Sequence, residues 1–249
     1  MRAQVVERLA HAGCVAAEEE AGELLAAAPS PEVIDGWVAR REAGEPLAWI
    51  TGRTTFCGAG LRIDPGVYPP RRQTEALAAR AAALLPAGGR AADLCCGSGA
   101  IAVHVGSVVA GARVVAVDRD PTAVRCAQRN GVPACVGDVG GPLASAAFDV
   151  VTAVAPYVPT GRLAFLPRDV RAYEPLVALD GGDDGLDVVR RVITDAARIL
   201  RTGGSLLLEL GGDQFDPAAG ALGAAGFAGI EAWTDDEGDL RGVVATRER

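Results

Sequence analysis

The chain has 249 residues, of which 49% are hydrophobic, and its net charge at neutral pH is −8. This length suffices for one large domain or for a domain with a small appendage, and the apolar fraction supplies a sizeable core. A protein that binds nucleic acid through bulk electrostatics carries the opposite charge balance. We therefore expect no bulk nucleic acid partner.

The N-terminal segment and the cysteines indicate the cellular compartment of the protein. Met1–Ala10 predicts an amphipathic helix with charges inside it, which differs from a signal peptide, and no apolar run approaches membrane-spanning length. The six cysteines form no C-x-x-C pair, and only two histidines occur. We expect a cytoplasmic protein with reduced thiols, no metal site and no membrane partner.

Three predicted domains follow one another along the chain. Residues 1–43 place apolar side chains at helical spacing and predict a small helical cap. Residues 44–72 carry glycines among short β-like runs and predict a β-hairpin linker. Residues 73–249 form the predicted main domain, which begins with a helix at Gln73–Leu85.

From Ala91 onward, strand-like and helix-like segments alternate. Strands are predicted at Ala91–Cys95, Arg113–Asp118, Ala134–Asp138, Phe148–Val154 and Ser205–Leu210, and helices at Ala100–Val109, Pro121–Asn130, Leu186–Leu200 and Gln214–Ala225. This alternation predicts an α/β fold with a parallel sheet and right-handed crossovers. The runs Gly229–Trp233 and Arg241–Thr246 predict a final antiparallel hairpin. The connection Pro156–Gly185 is long enough to indicate a functional segment.

A glycine turn follows the first of these strands. Its core reads Asp93-Leu94-Cys95-Cys96-Gly97-Ser98-Gly99, and the glycines let the backbone turn sharply and a ligand approach closely. The next two strands end in Asp118 and Asp138, and an acid at such a strand end can hold ribose hydroxyls. These features predict a nucleoside pocket at the rim of the sheet.

The glycine turn also matches the G-x-G-x-x-G/A pattern of dinucleotide-binding folds. Asp93 precedes the glycines by four residues, where it suits a cationic amino group and opposes a pyrophosphate. Asp138 suits the amino group of adenine. S-adenosylmethionine, an amino acid joined to a nucleoside, offers a suitable group to each of these three acids. NAD would instead place a pyrophosphate near the carboxylate of Asp93.

Longer motifs cover nearly the whole chain. They are Gly44–Gly52, Pro70–Glu75, Asp93–Ala100, Ala155–Pro159, Tyr173–Pro175 with Ala178-Leu179, and Gly181–Leu186. On these motifs the chain resembles the HemK-type protein-glutamine N5-methyltransferases. The resemblance implies a class I S-adenosylmethionine-dependent methyltransferase fold, with a Rossmann-like seven-stranded sheet, a final antiparallel hairpin and an N-terminal helical cap.

The resemblance also implies roles for individual residues. The implied cofactor-binding residues are Asp93, Cys95, Gly97, Gly99, Asp118, Arg119, Gly137, Asp138 and Val139. The implied catalytic segment, which faces the methyl acceptor, is Val154, Ala155, Pro156 and Tyr157. The implied substrate-binding residues are Arg71, Thr74 and Glu174.

The chain departs from the family pattern at the catalytic segment. Family members place Asn-Pro-Pro-Tyr where this chain has Val154-Ala155-Pro156-Tyr157, and valine cannot form the hydrogen bonds of asparagine. The predicted helical cap is also shorter than the family's. Three readings stay open on the sequence: a protein-glutamine methyltransferase with a weakened site, a methyltransferase for a small-molecule acceptor, and a non-catalytic S-adenosylmethionine-binding protein.

Overall fold

The N-terminal segment folds into four short helices in the computed structural model, which describes residues 1–248. They are α1 (Arg2–His11), α2 (Ala17–Ala27), α3 (Ile34–Glu42) and α4 (Leu47–Thr51), with a 3-10 turn at Pro31–Val33. Their apolar faces bury one another in a small core that includes Leu9, Leu24 and Val38. The helical spacing of the sequence predicted the first three helices.

A two-stranded hairpin follows the helices. It pairs β1 (Arg53–Phe56) with β2 (Ala59–Arg62), and the two turn residues between them, Cys57 and Gly58, both have positive φ angles of 49° and 76°. This backbone matches the twist of a hairpin. The segment predicted as a β-hairpin linker also contains the helix α4, in which Trp49 and Ile50 are buried. The domain boundaries at residues 43 and 72 stay a prediction.

The remaining elements alternate as the sequence predicted. They are α5 (Glu75–Leu84), β3 (Arg90–Leu94), α6 (Ala100–Val108), β4 (Arg113–Asp118), α7 (Pro121–Arg129), β5 (Ala134–Val136), β6 (Phe148–Ala153), α8 (Arg168–Tyr173), α9 (Asp187–Ile199), β7 (Leu200–Glu209), α10 (Phe215–Ala224), β8 (Phe227–Thr234) and β9 (Leu240–Arg247). Three further 3-10 turns lie at Arg72–Thr74, Thr160–Phe165 and Leu176–Ala178.

The main sheet has seven strands in the order β5-β4-β3-β6-β7-β9-β8. Strands β3 to β7 are parallel, and β9 runs antiparallel to both β7 and β8. The predicted fold class is therefore confirmed. The strand order reverses between β3 and β6, and open α/β sheets bind ligands at the carboxyl ends of the strands at such a point.

The boundary between α9 and β7 differs from the sequence prediction. We expected a helix to Leu200 that stops at Gly203-Gly204, but the helix ends at Ile199 and β7 contains both glycines. Phe148 pairs with Leu200, and Val150 pairs with Ser205. The register therefore shifts between these two pairs, and β7 has a bulge there. A Cβ on Gly204 would lie 3.0 Å from the carbonyl oxygen of Asp149, which shows that glycine permits a close approach of two strands.

Apolar side chains fill both faces of the sheet. One face packs against α9 and α10 through residues such as Val192 and Leu222, and the other packs against α5 and α6 through residues such as Leu77 and Ile101. In residues 1–248, no helix has both the length and the hydropathy needed to cross a membrane.

Candidate cofactor and acceptor site

One large cavity of about 600 Å³ opens at the carboxyl ends of β3, β4, β5 and β6. Most residues singled out in the sequence line it. The exceptions are Gly99, Gly137, Arg71 and Glu174. A cavity of this size suits a ligand as large as a nucleoside joined to an amino acid.

The glycine turn forms one wall of the cavity. The amide of Gly97 donates to Oδ2 of Asp118 at 2.9 Å, which ties the turn to the end of β4. Gly97 has a φ of +54°, and the nearest heavy atom to where its Cβ would lie is the carbonyl oxygen of Tyr68, at 3.9 Å. Gly99 starts α6 with a φ of +78°, and its Cβ would lie 3.0 Å from that of Ala127. Gly99 therefore serves helix packing rather than the cavity wall.

Asp118 has both carboxylate oxygens engaged by backbone amides. Oδ2 accepts from Gly97 and Oδ1 accepts from Asp120, each at 2.9 Å. Burial raises the pKa of Asp118, and these two amide donors act against that shift. Each oxygen keeps a second lone pair, so the carboxylate can still accept from the hydroxyls of a ribose.

Asp93 is almost fully buried and incompletely hydrogen-bonded. Its Oδ1 accepts from Oγ1 of Thr152 at 2.8 Å, whereas its Oδ2 has no hydrogen-bond partner within residues 1–248. Burial raises the pKa of Asp93 to about 7. A buried, unpartnered carboxylate oxygen that lines a cavity is costly, and a ligand ammonium group would offset that cost. This feature fits the amino group of S-adenosylmethionine.

Two strained backbone positions lie in the same cavity. Cys95 and Val139 have φ angles of 54° and 48°, in a region that residues with a side chain rarely adopt. Each such position costs on the order of 1–3 kcal/mol and persists where surrounding structure enforces it. Because both residues line the cavity, the strain shapes the wall that a ligand contacts.

Asp138 forms an ion pair with Arg191 of α9 at the outer end of the cavity. Both side chains are about half exposed, so the pair sits at the rim. Gly137 lines a neighbouring recess together with Arg119, and its Cβ would lie 2.5 Å from Cγ of Pro142. Gly137 thus lets the chain turn after β5 and bring Asp138 to the cavity.

The predicted catalytic segment lies at the end of β6. Ala155 and Pro156 are buried, Val154 and Tyr157 are partly exposed, and all four line the cavity. The Tyr157 hydroxyl donates to Oε1 of Glu209 at 3.0 Å. Burial raises the pKa of this phenol, and the neighbouring carboxylate adds to the effect. Tyr157 is therefore a neutral, oriented side chain at neutral pH.

Glu209 joins three side chains behind this segment. It is buried at the end of β7 and accepts from Gln73, Thr74 and Tyr157 at 3.0, 2.7 and 3.0 Å. Gln73 also donates to the Tyr157 hydroxyl at 3.2 Å. The network ties Gln73 and Thr74, which directly precede α5, to the predicted catalytic segment.

Arg71 and Glu174 bind each other rather than facing the cavity. One Arg71 nitrogen lies 2.5 and 2.6 Å from the two carboxylate oxygens of Glu174, which is buried. The Arg71 guanidinium also stacks 4.6 Å from the ring centroid of Tyr68 and donates to its hydroxyl at 3.0 Å. Because Tyr68 lines the cavity, the ion pair supports the wall from behind.

Sequence reasoning missed three residues of this site, namely Thr152, Arg191 and Glu209. Glu209 and Thr152 are isolated polar residues inside apolar strands, which is a signal that the sequence does carry. Arg191 lies on a helix with many charged residues and offers no such signal.

Replacing Glu209 by Gln is expected to lower the free energy of unfolding by about 1–3 kcal/mol, because an amide NH₂ would face donors that now point at a carboxylate. Chemical denaturation of both proteins measures the difference. Glu231→Gln is a matched control on an exposed face of β8. Equal stability of the native protein and Glu209→Gln would show that the network adds nothing to the free energy of unfolding.

Solved structures of methyltransferases share this fold. The 16S ribosomal RNA N2 G1207 methyltransferase of T. thermophilus, solved with AdoMet and guanosine, aligns with a TM-score of 0.55 at 21% identity, over 79% of this chain and 44% of that one. The ribosomal protein L11 methylase of Lactobacillus delbrueckii aligns with a TM-score of 0.55 at 17% identity, over 76% of this chain and 86% of that one. At such identities the likeness concerns the fold alone.

Relatives found by sequence match this chain at higher identity than these solved structures do. Residues 60–150 match the family model described as Methyltransferase small domain. The chain is 39% identical to the release factor glutamine methyltransferase of Geobacter sulfurreducens, over 77% of this chain and 70% of that protein. It is 34% identical to the protein of the same name from Streptomyces coelicolor, over 83% of this chain and 82% of that protein. The match to that of Gloeobacter violaceus, at 42% identity, spans 70% of this chain and 64% of that protein.

These matches extend over most of the chain. The chain therefore belongs to the release factor glutamine methyltransferase family and is an S-adenosylmethionine-dependent methyltransferase.

Proposed function

We propose that the protein methylates the side-chain amide nitrogen of a glutamine in another protein. The observation that carries this proposal is the 39% identity, over 77% of the chain, to a protein named for that reaction. We place the activity in the cytoplasm, where the six cysteines, all free in the structure, stay reduced.

The inner part of the cavity is the proposed cofactor site. We assign Asp93 to the amino group of the cofactor, Asp118 to its ribose hydroxyls, and Asp138 with Val139 to its adenine. The unpartnered Oδ2 of Asp93 and the free lone pairs of Asp118 support this assignment. When bound, S-adenosylmethionine supplies an electrophilic methyl group on a positively charged sulfur.

The outer part, beside Val154–Tyr157, is the proposed acceptor site. An amide nitrogen is a weak nucleophile because its lone pair is delocalised into the carbonyl, so the site must hold it in line with the methyl group. Tyr157, fixed by Glu209, can pack against the flat amide. The backbone carbonyl of Ala155 can accept one N–H, whereas Val154 contributes shape alone.

Transfer of labelled methyl groups tests the proposed reaction. A peptide with a Gly-Gly-Gln turn is expected to gain label, and the same peptide with Asn in place of Gln is the matched control. Label in the control, or label that enters only the small-molecule fraction of a cell lysate, would contradict the proposal.

Replacing Asp118 by Ala is expected to weaken S-adenosylhomocysteine binding by about 1.5–3 kcal/mol, the scale of hydrogen bonds to a charged group. Isothermal titration calorimetry measures this. Asp118→Asn keeps one oxygen acceptor, so we expect it to lose less binding free energy than Asp118→Ala. The same titration with NAD is expected to give no binding. NAD binding without S-adenosylhomocysteine binding would refute the cofactor assignment.

A further inference from the structure

The long connection after β6 is a loop whose two ends are joined. Val158 and Asp180 form a β-bridge, the Val158 amide donates to the carbonyl of Leu179 at 3.0 Å, and the Gly181 amide donates to that of Val158 at 2.9 Å. Residues 159–179 therefore leave and return at one place beside the acceptor end of the cavity. A loop closed in this way presents a defined surface.

The two acidic side chains of this loop and Tyr173 contact the rest of the protein and fix the loop in place. Glu174 is buried against Arg71, and Asp169 lies 4.0 Å from Arg41 of α3. The Tyr173 hydroxyl donates to the carbonyl of Ala43 at 3.2 Å. The loop is thus anchored to both the cavity wall and the helical cap.

The outward side of the loop combines exposed apolar groups with positive charge. We call it the mouth surface, and it consists of Arg162, Phe165, Arg168, Arg171, Leu176 and Val177. Phe165, Leu176 and Val177 are 79%, 60% and 44% exposed, and the latter two also line the cavity. The three arginines are exposed and form no ion pair within the described part of the chain.

We propose that the mouth surface docks an acidic, apolar stretch of the protein whose glutamine enters the cavity, an inference that rests on the proposed function. Large exposed apolar groups at a cavity mouth mark an interaction site, and aromatic and arginine side chains contribute strongly to such sites. Three unpaired positive charges in a chain of net charge −8 select a partner segment of opposite charge. A single-stranded RNA would call for several stacking aromatics, and this surface has one.

Fluorescence anisotropy with two labelled peptides tests the docking. Both carry a Gly-Gly-Gln turn. In one it is flanked by a segment of Leu and Glu, and in the other each Glu is replaced by Lys. At low salt the native protein is expected to bind the Glu peptide about tenfold more tightly than the Lys peptide, with the difference shrinking as salt is added.

Variants locate this preference on the surface. The combined Arg162→Glu, Arg168→Glu and Arg171→Glu variant is expected to lose it, whereas the matched control with Arg2→Glu, Arg113→Glu and Arg125→Glu keeps it. Those three control arginines are exposed and lie outside the loop. Phe165→Ser, a change at a side chain that packs on little else, is expected to weaken binding of the Glu peptide about threefold or more. Retained S-adenosylhomocysteine binding verifies that each variant is folded.

The outcomes separate this inference from the proposed function. Equal affinity of the native protein for both peptides, a preference that survives the triple reversal, or tighter binding of a short single-stranded RNA would each overturn the docking. A clear preference for the Glu peptide without methylation of either peptide would leave the docking supported and would refute glutamine methylation.

Discussion

Replacing Asp93 by Asn is expected to weaken S-adenosylhomocysteine binding by about 2–3 kcal/mol, because the cofactor's ammonium group would lose the charged partner that we propose for it. The same change is expected to stabilise the cofactor-free protein above pH 7. The native carboxylate is buried there with one oxygen lacking a partner, and a neutral amide removes the cost of burying a charge. Binding and stability thus shift in opposite directions.

The pH dependence follows from the pKa of Asp93. In the folded protein burial raises this pKa from 3.8 to about 7. At a pH between these two pKa values, Asp93 is more protonated in the folded state than in the unfolded state. Asp93 therefore lowers the free energy of unfolding as the pH rises from about 4 to about 7, and the loss is complete above that range. The size of the shift sets an upper limit of about 4 kcal/mol for this contribution.

Chemical denaturation at pH 5 and pH 8, with and without S-adenosylhomocysteine, measures both effects. Asp184→Asn is the control, because its exposed carboxylate has a pKa lowered by hydrogen bonding to Arg190 and so stabilises the fold in the opposite pH direction. The Asp93 account is refuted if Asp93→Asn leaves the pH dependence of stability unchanged, or if the variant binds S-adenosylhomocysteine as tightly as the native protein.

The sequence predicts the sheet and its rim well for a physical reason. Apolar runs that end in Gly97, Asp118 and Asp138 mark both where the strands stop and where ligand chemistry begins. Parallel strands bring these ends to one edge, so their proximity follows from the fold class alone. No knowledge of side-chain contacts is needed for that step.

The hydrogen-bond partners inside the site depend on strand order and register, which the sequence does not display. Asp93 meets Thr152 because β3 lies beside β6 with these residues opposite one another. Arg71 meets Glu174 across 103 positions of chain. A glycine pair is ambiguous in a similar way, since Gly203-Gly204 could end a helix or admit a close strand, and only packing decides between the two.

Replacing Val154 by Asn is expected to raise methylation of a Gly-Gly-Gln peptide by about 100-fold in kcat, the scale on which misplacement of a reacting group costs rate. Val154 lines the cavity directly after β6 and is only partly buried, so an amide at this position can reach the acceptor that we propose binds there. Its oxygen would accept a hydrogen bond from the N–H groups of the glutamine and hold the nitrogen towards the methyl group. Because this bond orients the nitrogen for transfer, kcat should change more than KM.

Two controls separate orientation from polarity. Val154→Leu keeps the site apolar and is expected to leave the rate low, and Val158→Asn adds an amide to another part of the same cavity wall without aiming it at the end of β6. Fast methylation by the native protein, equal to that of Val154→Asn, would show that the residues already present orient the amide without help. If neither protein methylates the peptide while the native chain consumes cofactor with a metabolite extract, the valine suits a small-molecule acceptor, whose nitrogen or oxygen needs no amide partner.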